Sequence, residues 1–136
     1  MSVPESQRGK GKFDVIINAL YLAQYTITIT KNKNVFLKEY QSALTDDLIR
    51  SAKDIYINAW KANNIRVTSQ EDWKERKHLQ ELSILECNSL LAMIQLAKKI
   101  FHLKSKRIKY WGELTIRARD GIRAWKESDT KRYKNI

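Results

Sequence analysis

The sequence predicts an all-α protein, an antiparallel up-down four-helix bundle that assembles into a homo-oligomer. Residues that favour turns are scarce, since the chain of 136 residues contains one proline and four glycines, and a sheet with repeated tight turns needs more of them. Apolar side chains recur at steps of three and four over long stretches, which is the period of an α-helix. The polar connections between these stretches are short, which favours neighbouring helices that run in opposite directions.

The first two helices are predicted from apolar stripes in the N-terminal half. The first helix covers roughly residues 12–31, and the second follows a polar turn at 31–34 and extends to about Asn63. Alternating Thr and Ile at 26–30 have the period of a strand, but no other segment offers a strand to pair with, so a helix is favoured. The residues expected on the buried side of the first helix are Phe13, Ile16, Ile17, Leu20, Ala23 and Ile27. The stripe expected in the second helix consists of Leu37, Tyr40, Leu44, Leu48, Ala52, Ile55 and Ala59.

The third helix is the most apolar of the four. Ser69, followed by acidic residues in the first turn, predicts its N-cap, and the helical pattern continues to about Leu103. Residues 82–97 are apolar on nearly every side, and a single bundle would not cover all of that surface, so self-association is predicted. The residues assigned to the interface between subunits are Leu85, Leu91 and Ile94.

The fourth helix begins near Ser105 and fades after Glu127 into a polar tail that is expected to be mobile. Its apolar residues lie on one stripe of a helix, and this stripe places Trp111 and Trp125 in the core, with an interface between subunits as the less favoured alternative.

The chain is expected to form a single domain with short extensions. We divide it into a flexible basic arm at residues 1–12, a four-helix bundle at 13–128 and a polar tail at 129–136. Hydrophobic residues make up 43% and charged residues 30% of the chain, which is a globular balance. No apolar run approaches the roughly 20 residues of a membrane span. The first twelve residues lack the apolar core of a signal peptide, so a cytoplasmic protein without membrane contact is expected.

The sequence offers no arrangement of residues that suggests catalysis. His78 and His102 are far apart and have no Cys or His at ligand spacing, so no metal site is predicted. Cys87 is the only cysteine and can neither form an internal disulfide nor begin a zinc cluster. No glycine-rich loop follows a strand, and no hydroxyl or thiol has a suggestive base beside it. We therefore expect a protein that is not an enzyme, with no catalytic residues and no cofactor.

Positive charge is concentrated at the C-terminal end of the chain. Residues 104–136 contain 11 Lys and Arg against 4 Asp and Glu, which is +7 of the net charge of +11. This distribution predicts a polyanionic partner, RNA or DNA or both, bound without sequence preference. The residues assigned to nucleic-acid binding are Lys104, Lys106, Arg107, Lys109, Arg117, Arg119, Arg123 and Lys126. Tyr110 is a candidate for stacking on a base, and a boundary position on the bundle is the favoured alternative for it.

The chain resembles the accessory variability determinant proteins of diversity-generating retroelements over roughly residues 13–128. The resemblance is carried by the layout of four helices, by a long Leu-rich third helix and by three segments. These segments are LTDDLI at 44–49, LKSKRIKYW at 103–111 and IRAWKES at 122–128. The chain is also similar to the related four-helix proteins encoded in intervening sequences of bacterial 23S ribosomal RNA genes.

The first resemblance implies a barrel-shaped homopentamer whose basic surface binds nucleic acid and docks the reverse transcriptase of the element. It implies a role in the error-prone copying of template RNA into cDNA, which is the mutagenic retrohoming step. The alternative functions are an RNA-binding or scaffolding bundle of the ribosomal intervening-sequence family, and a scaffold whose ligand is another protein. An adjacent reverse-transcriptase gene with a repeated template would indicate the first function, and a position within a ribosomal RNA operon would indicate the second.

Overall fold

The computed structural model describes residues 12–32, 35–36 and 41–136, and in these residues all regular structure is helical. The helices are α1 (Lys12–Lys31), α2 (Gln41–Asn64), α3 (Gln70–Phe101) and α4 (Ser105–Arg132). The predicted all-α class is confirmed. The predicted arm lies outside the described residues as far as residue 11, as do Leu37 and Tyr40 of the predicted second helix. Within the described part of the chain, none of the helices is long and apolar enough to span a membrane.

The four helices enclose one core, in which α1 and α3 each pack against both α2 and α4. In the contacts between α2 and α3, an earlier residue of α2 meets a later residue of α3. Ser51 Oγ donates to the carbonyl of Glu86 at 3.3 Å, and Ser83 Oγ donates to the carbonyl of Ile55 at 2.8 Å. Between α3 and α4 the order is also reversed, because Asn88 meets Arg119 whereas Arg76 meets Asp129.

The Thr-Ile alternation of α1 is helical, as predicted, and two of its threonines form hydrogen bonds that are compatible with a helix. Thr30 Oγ1 donates to the carbonyl of Thr26 at 2.7 Å, one helical turn earlier. Thr26 Oγ1 in turn accepts a hydrogen bond of 3.0 Å from Nε1 of Trp111. The Trp111 ring is completely buried and Trp125 is nearly so, which confirms the core positions predicted for both.

The buried side of α1 differs from the predicted one. Ile17, Leu20 and Ile27 are 45%, 38% and 37% exposed, although the sequence pattern assigned them to the core. Ala23 is buried as predicted, and the other described side chains that α1 buries are those of Val15, Ala19, Leu22, Thr26, Ile29 and Thr30. Both stripes have helical spacing, so periodicity alone does not choose between them. The hydrogen bond from Trp111 fixes Thr26 inward and so favours the second stripe.

The N-terminus of α3 carries the predicted cap. Ser69 Oγ accepts a hydrogen bond from the backbone N–H of Asp72 at 3.1 Å. Asp72 Oδ2 accepts in return from the backbone N–H of Thr68 at 3.0 Å and from its hydroxyl at 2.9 Å. These bonds stabilise the carboxylate, and the bond from the Thr68 backbone is the main reason that the pKa of Asp72 is lowered. The bond to Ser69 satisfies one of the amides that the first helical turn leaves without partners, and the bonds from Thr68 hold the preceding residue against the helix start.

The C-terminal end of α4 differs from the mobile polar tail that was predicted for residues 129–136. The helix continues to Arg132, and Asp129 is buried rather than part of a mobile segment. Asp129 Oδ2 accepts from Nε of Arg76 at 2.8 Å and from Nε2 of Gln80 at 2.9 Å. Tyr133 packs on Trp73 with ring centroids 5.4 Å apart. The buried ion pair therefore ties residues 129–133 to α3.

The three residues assigned to a subunit interface have different environments. Leu85 is 61% exposed and Leu91 is half-buried, so both reach the surface of the chain. Ile94 is completely buried in the chain's own core, and its assignment to an interface was wrong. Helical spacing places Ile94 seven residues after Cys87, on the buried side of α3.

Cys87 is expected to be unreactive in the folded protein. Its side chain is buried on α3, and desolvation raises the pKa of the thiol from 9.0 to about 12. Iodoacetamide labelling at pH 9, where thiolate is the reactive form, should be at least about 100-fold slower without denaturant than with it. The unfolded chain loses the thiol proton from about pH 9 while the folded chain keeps it, so this residue's contribution to stability falls as pH rises towards 12. Equal labelling rates in both conditions would contradict the buried position.

Candidate nucleic-acid interface

The structure divides the eight cations assigned to nucleic-acid binding into two groups on α4 with Arg117 between them. The first, which we call the N-terminal basic cluster, consists of Lys104, Lys106, Arg107 and Lys109, and all four residues are exposed. The second, which we call the C-terminal basic group, consists of Arg119, Arg123 and Lys126 and lies on the side of α4 that faces α3. Arg117 is exposed as well. The cations therefore do not form one uniform surface.

The C-terminal basic group is largely matched by carboxylates and amides. Arg119 Nε lies 3.2 Å from Asp120 Oδ1, and Arg119 Nη1 donates to Asn88 Oδ1 at 3.1 Å. Arg123 Nη1 also lies 3.9 Å from Asp120 Oδ1, and Lys126 Nζ lies 3.9 Å from Glu81 Oε1. Such exposed pairs add little stability, but they partly neutralise the surface on which they lie.

Within the described part of the chain, the N-terminal basic cluster has no such partners. Among the ion pairs formed within residues 12–32, 35–36 and 41–136, none involves one of its four cations. The first turn of α4 contains no acidic residue, and its free amides and dipole add positive potential at this end of the helix. The last turn of α3, which precedes this cluster along the chain, carries two more cations, Lys98 and Lys99. The strongest anion-attracting surface in the described residues is therefore expected here.

A pocket formed by α1 and the start of α4 adjoins this cluster. It has a volume of about 330 Å³ and is lined by Tyr25, Tyr110 and three cations of the cluster, Lys104, Lys106 and Arg107. We call it the tyrosine pocket. The Tyr25 and Tyr110 rings meet edge to face, with centroids 5.1 Å apart and an interplanar angle of 78°. The hydroxyls of Tyr21 and Tyr110 share a hydrogen bond of 2.7 Å, which further restrains the exposed Tyr110 ring.

The phenols of the pocket stay neutral at physiological pH. Burial is the main cause that raises the pKa of Tyr25, and it outweighs the opposing effect of Arg107. The hydrogen bond with Tyr21 is the main cause that raises the pKa of Tyr110. The pocket is therefore lined by neutral aromatic rings and by the side chains of three cationic residues, without a negative group that would repel a phosphate.

Sequence reasoning identified Tyr110 and the cations but missed Tyr21 and Tyr25. The spacing of these two tyrosines, one helical turn apart in a segment without charged residues, was the available signal. Their relation to α4 was not visible, because 89 positions separate Tyr21 from its hydrogen-bond partner.

A larger cavity of about 560 Å³ lies between α3 and α4, next to the C-terminal basic group. Its lining includes Glu81 and Glu127 as well as Arg123 and Lys126, with exposed Leu85 at one side. The equal numbers of acidic and basic side chains give it no preference for an anion. Across the described residues, no cluster of His, Cys, Asp or Glu has a geometry that would hold a metal ion.

The comparisons with known proteins give no family for this chain. No protein-family model matches its sequence, no curated protein matches it, and no solved structure matches it. The resemblance to the accessory proteins of diversity-generating retroelements therefore stays a prediction, which rests on the layout of four helices and on the segments at 44–49, 103–111 and 122–128.

Proposed function

We propose that this chain is a non-enzymatic nucleic-acid-binding protein whose main contact surface is the N-terminal basic cluster of α4. The observation that carries the proposal is the exposure of four cations that have no acidic partner among the described residues. Lysine and arginine side chains in this state exchange small counterions for phosphates, and the released ions drive binding. The tyrosine pocket beside the cluster adds aromatic surface of the kind that nucleic-acid-binding proteins use.

The proposed architecture is an antiparallel up-down bundle that forms a homo-oligomer, with a pentamer favoured by the resemblance. The reversed order of contacts along α2, α3 and α4 supports the antiparallel arrangement. An outward seam on α3 supports self-association, because its residues are uncharged and spaced alternately by three and four positions, as in a coiled coil. These residues are Leu82, Leu85, Ser89, Ala92 and Leu96. Leu85 and Leu96 are 61% and 51% exposed in the single chain.

An oligomer would repeat the basic cluster and raise its effective affinity for a long polyanion. The resemblance further suggests a reverse transcriptase as the protein partner, in the copying of template RNA into cDNA. In that role the cluster would hold template or product strands close to the polymerase while the chain itself performs no chemistry.

Charge reversal within the cluster tests the proposal. The double variant Lys106→Glu, Lys109→Glu should bind labelled RNA and DNA at least about tenfold more weakly at 0.1 M salt, and its salt slope should fall by about 1.5. Fluorescence anisotropy over a series of salt concentrations measures both quantities. Glutamates near a helix N-terminus are favoured by the helix dipole, so the variant should remain folded.

A second double variant, Arg119→Glu, Arg123→Glu, is the matched control. It changes the net charge by the same amount, but it alters cations that already lie near Asp120. Its loss of affinity should be smaller by severalfold. Equal losses would mean that net charge rather than position determines binding, and a smaller loss for the cluster variant would move the site elsewhere. Wild-type protein that binds neither RNA nor DNA would favour the protein-scaffold function.

A further inference from the structure

We propose that the tyrosine pocket accepts one unpaired nucleobase, which stacks on Tyr110 while Lys104, Lys106 and Arg107 contact the adjacent phosphates. The surface would then prefer single-stranded nucleic acid over a duplex. This inference rests on the proposed function and specifies its ligand. Stacking of a base on Tyr110 does not depend on charge. This inference can therefore be wrong even if the N-terminal basic cluster binds nucleic acid electrostatically.

The size and lining of the pocket suit a base. Its volume of about 330 Å³ and predominantly apolar lining fall within the range of small-ligand sites. None of its lining residues is acidic, in contrast to the larger cavity between α3 and α4, where Glu81 and Glu127 lie beside the cations. A nucleobase is planar and uncharged, which suits the tyrosine rings, and it is joined to phosphates, which suit the cationic side chains.

The Tyr110 ring is held in place before any ligand binds. Its hydroxyl is hydrogen-bonded to that of Tyr21 at 2.7 Å, and the Tyr25 ring contacts it edge to face. Tyr25 in turn packs against the buried Trp111, with ring centroids 6.4 Å apart. A ring fixed in this way loses little conformational freedom on binding, which favours affinity. Tyr110 is also 39% exposed, so part of its surface is free to stack.

A duplex cannot use this pocket without losing a base pair. Bases in a duplex are stacked on both faces, and taking one out costs unstacking and unpairing energy. The exposed cations can contact the phosphates of either form. The aromatic contact should therefore add to single-strand affinity alone, and because it releases no counterions it should leave the salt dependence unchanged.

The test compares Tyr110→Leu with Tyr110→Phe in the full chain. Affinities are measured by anisotropy for a single strand of about 20 nucleotides, which exceeds a typical single-strand site, and for its duplex. Tyr110→Leu should weaken single-strand binding about tenfold with an unchanged salt slope and change duplex binding less than twofold. Tyr110→Phe keeps the ring and should restore single-strand affinity to within about twofold of wild type. Thermal unfolding of both variants serves as the control for folding.

A strand of the same length that carries abasic sites gives an independent measurement with the wild-type protein. It should bind about tenfold more weakly than the normal strand, and Tyr110→Leu should not weaken it further. Equal effects of Tyr110→Leu on single strands and duplexes, or no effect on either, would overturn the base pocket. Tighter binding of free adenosine monophosphate than of the strand would also overturn it. Failure of the proposed function would appear separately, as unchanged affinity in the Lys106→Glu, Lys109→Glu variant.

Discussion

Replacing Ile94 by Glu should unfold the protein. Ile94 is completely buried in the core, so the substitution disrupts the packing of a large apolar side chain, whose truncation to Ala alone would cost about 2–5 kcal/mol. It also places a carboxylate without a partner among apolar groups, which costs several kcal/mol more or forces the group to take up a proton. The sum is comparable with the whole unfolding free energy of a typical domain, about 5–15 kcal/mol. Circular dichroism should show loss of the cooperative thermal transition.

Leu85→Glu is the matched control on the same helix. Leu85 is 61% exposed in the single chain, so its replacement should leave the chain folded, with an unchanged helical content. If the α3 seam joins subunits, the variant's mass by light scattering should fall towards the 16.0 kDa of a single chain. A wild-type melting curve for Ile94→Glu would contradict the burial of Ile94 in the core. An unchanged mass for Leu85→Glu would exclude Leu85 from the interface.

Replacing Asp129 by Ala should destabilise the protein by about 3–5 kcal/mol, because it leaves the buried Arg76 guanidinium without its anion. The side chains of both partners are at most 4% exposed. Arg76 also lies 5.1 Å from the centre of the Trp125 ring and donates from Nη1 to the Ile65 carbonyl at 3.2 Å. These contacts keep it from turning out to water. A fall of about 10–20 °C in melting temperature is expected for a chain of this size.

Asp120→Ala provides the control for this prediction. Asp120 lies on the same helix and also pairs with arginines, at 3.2 Å from Arg119 and 3.9 Å from Arg123. Its side chain is 58% exposed, so its loss should cost no more than about 1 kcal/mol. The double variant Arg76→Met, Asp129→Leu removes both buried charges and should recover much of the stability that Asp129→Ala loses. Equal melting temperatures for Asp129→Ala and Asp120→Ala would show that the Arg76 pair is not buried in solution.

The sequence by itself determined the features that depend on neighbouring residues. The scarcity of proline and glycine and the spacing of apolar residues gave the all-α class and placed the four helices to within a few residues over most of their length. The cap at Ser69 was predicted because its partner Asp72 is three positions away. The excess of positive charge on α4 was visible for the same reason, since charge along one helix can be read directly from composition.

Only the tertiary structure decided which of these features act together. Both possible stripes of α1 are helical, and the contact of Thr26 with Trp111, 85 positions away, determines which one is buried. The predicted tail is anchored to α3 because Asp129, its one buried residue, pairs with Arg76 across 53 positions. The tyrosine pocket likewise needs α1 and α4 side by side. Periodicity specifies the direction of a side chain around its own helix, but the partner it meets depends on how the helices pack, which no local pattern contains.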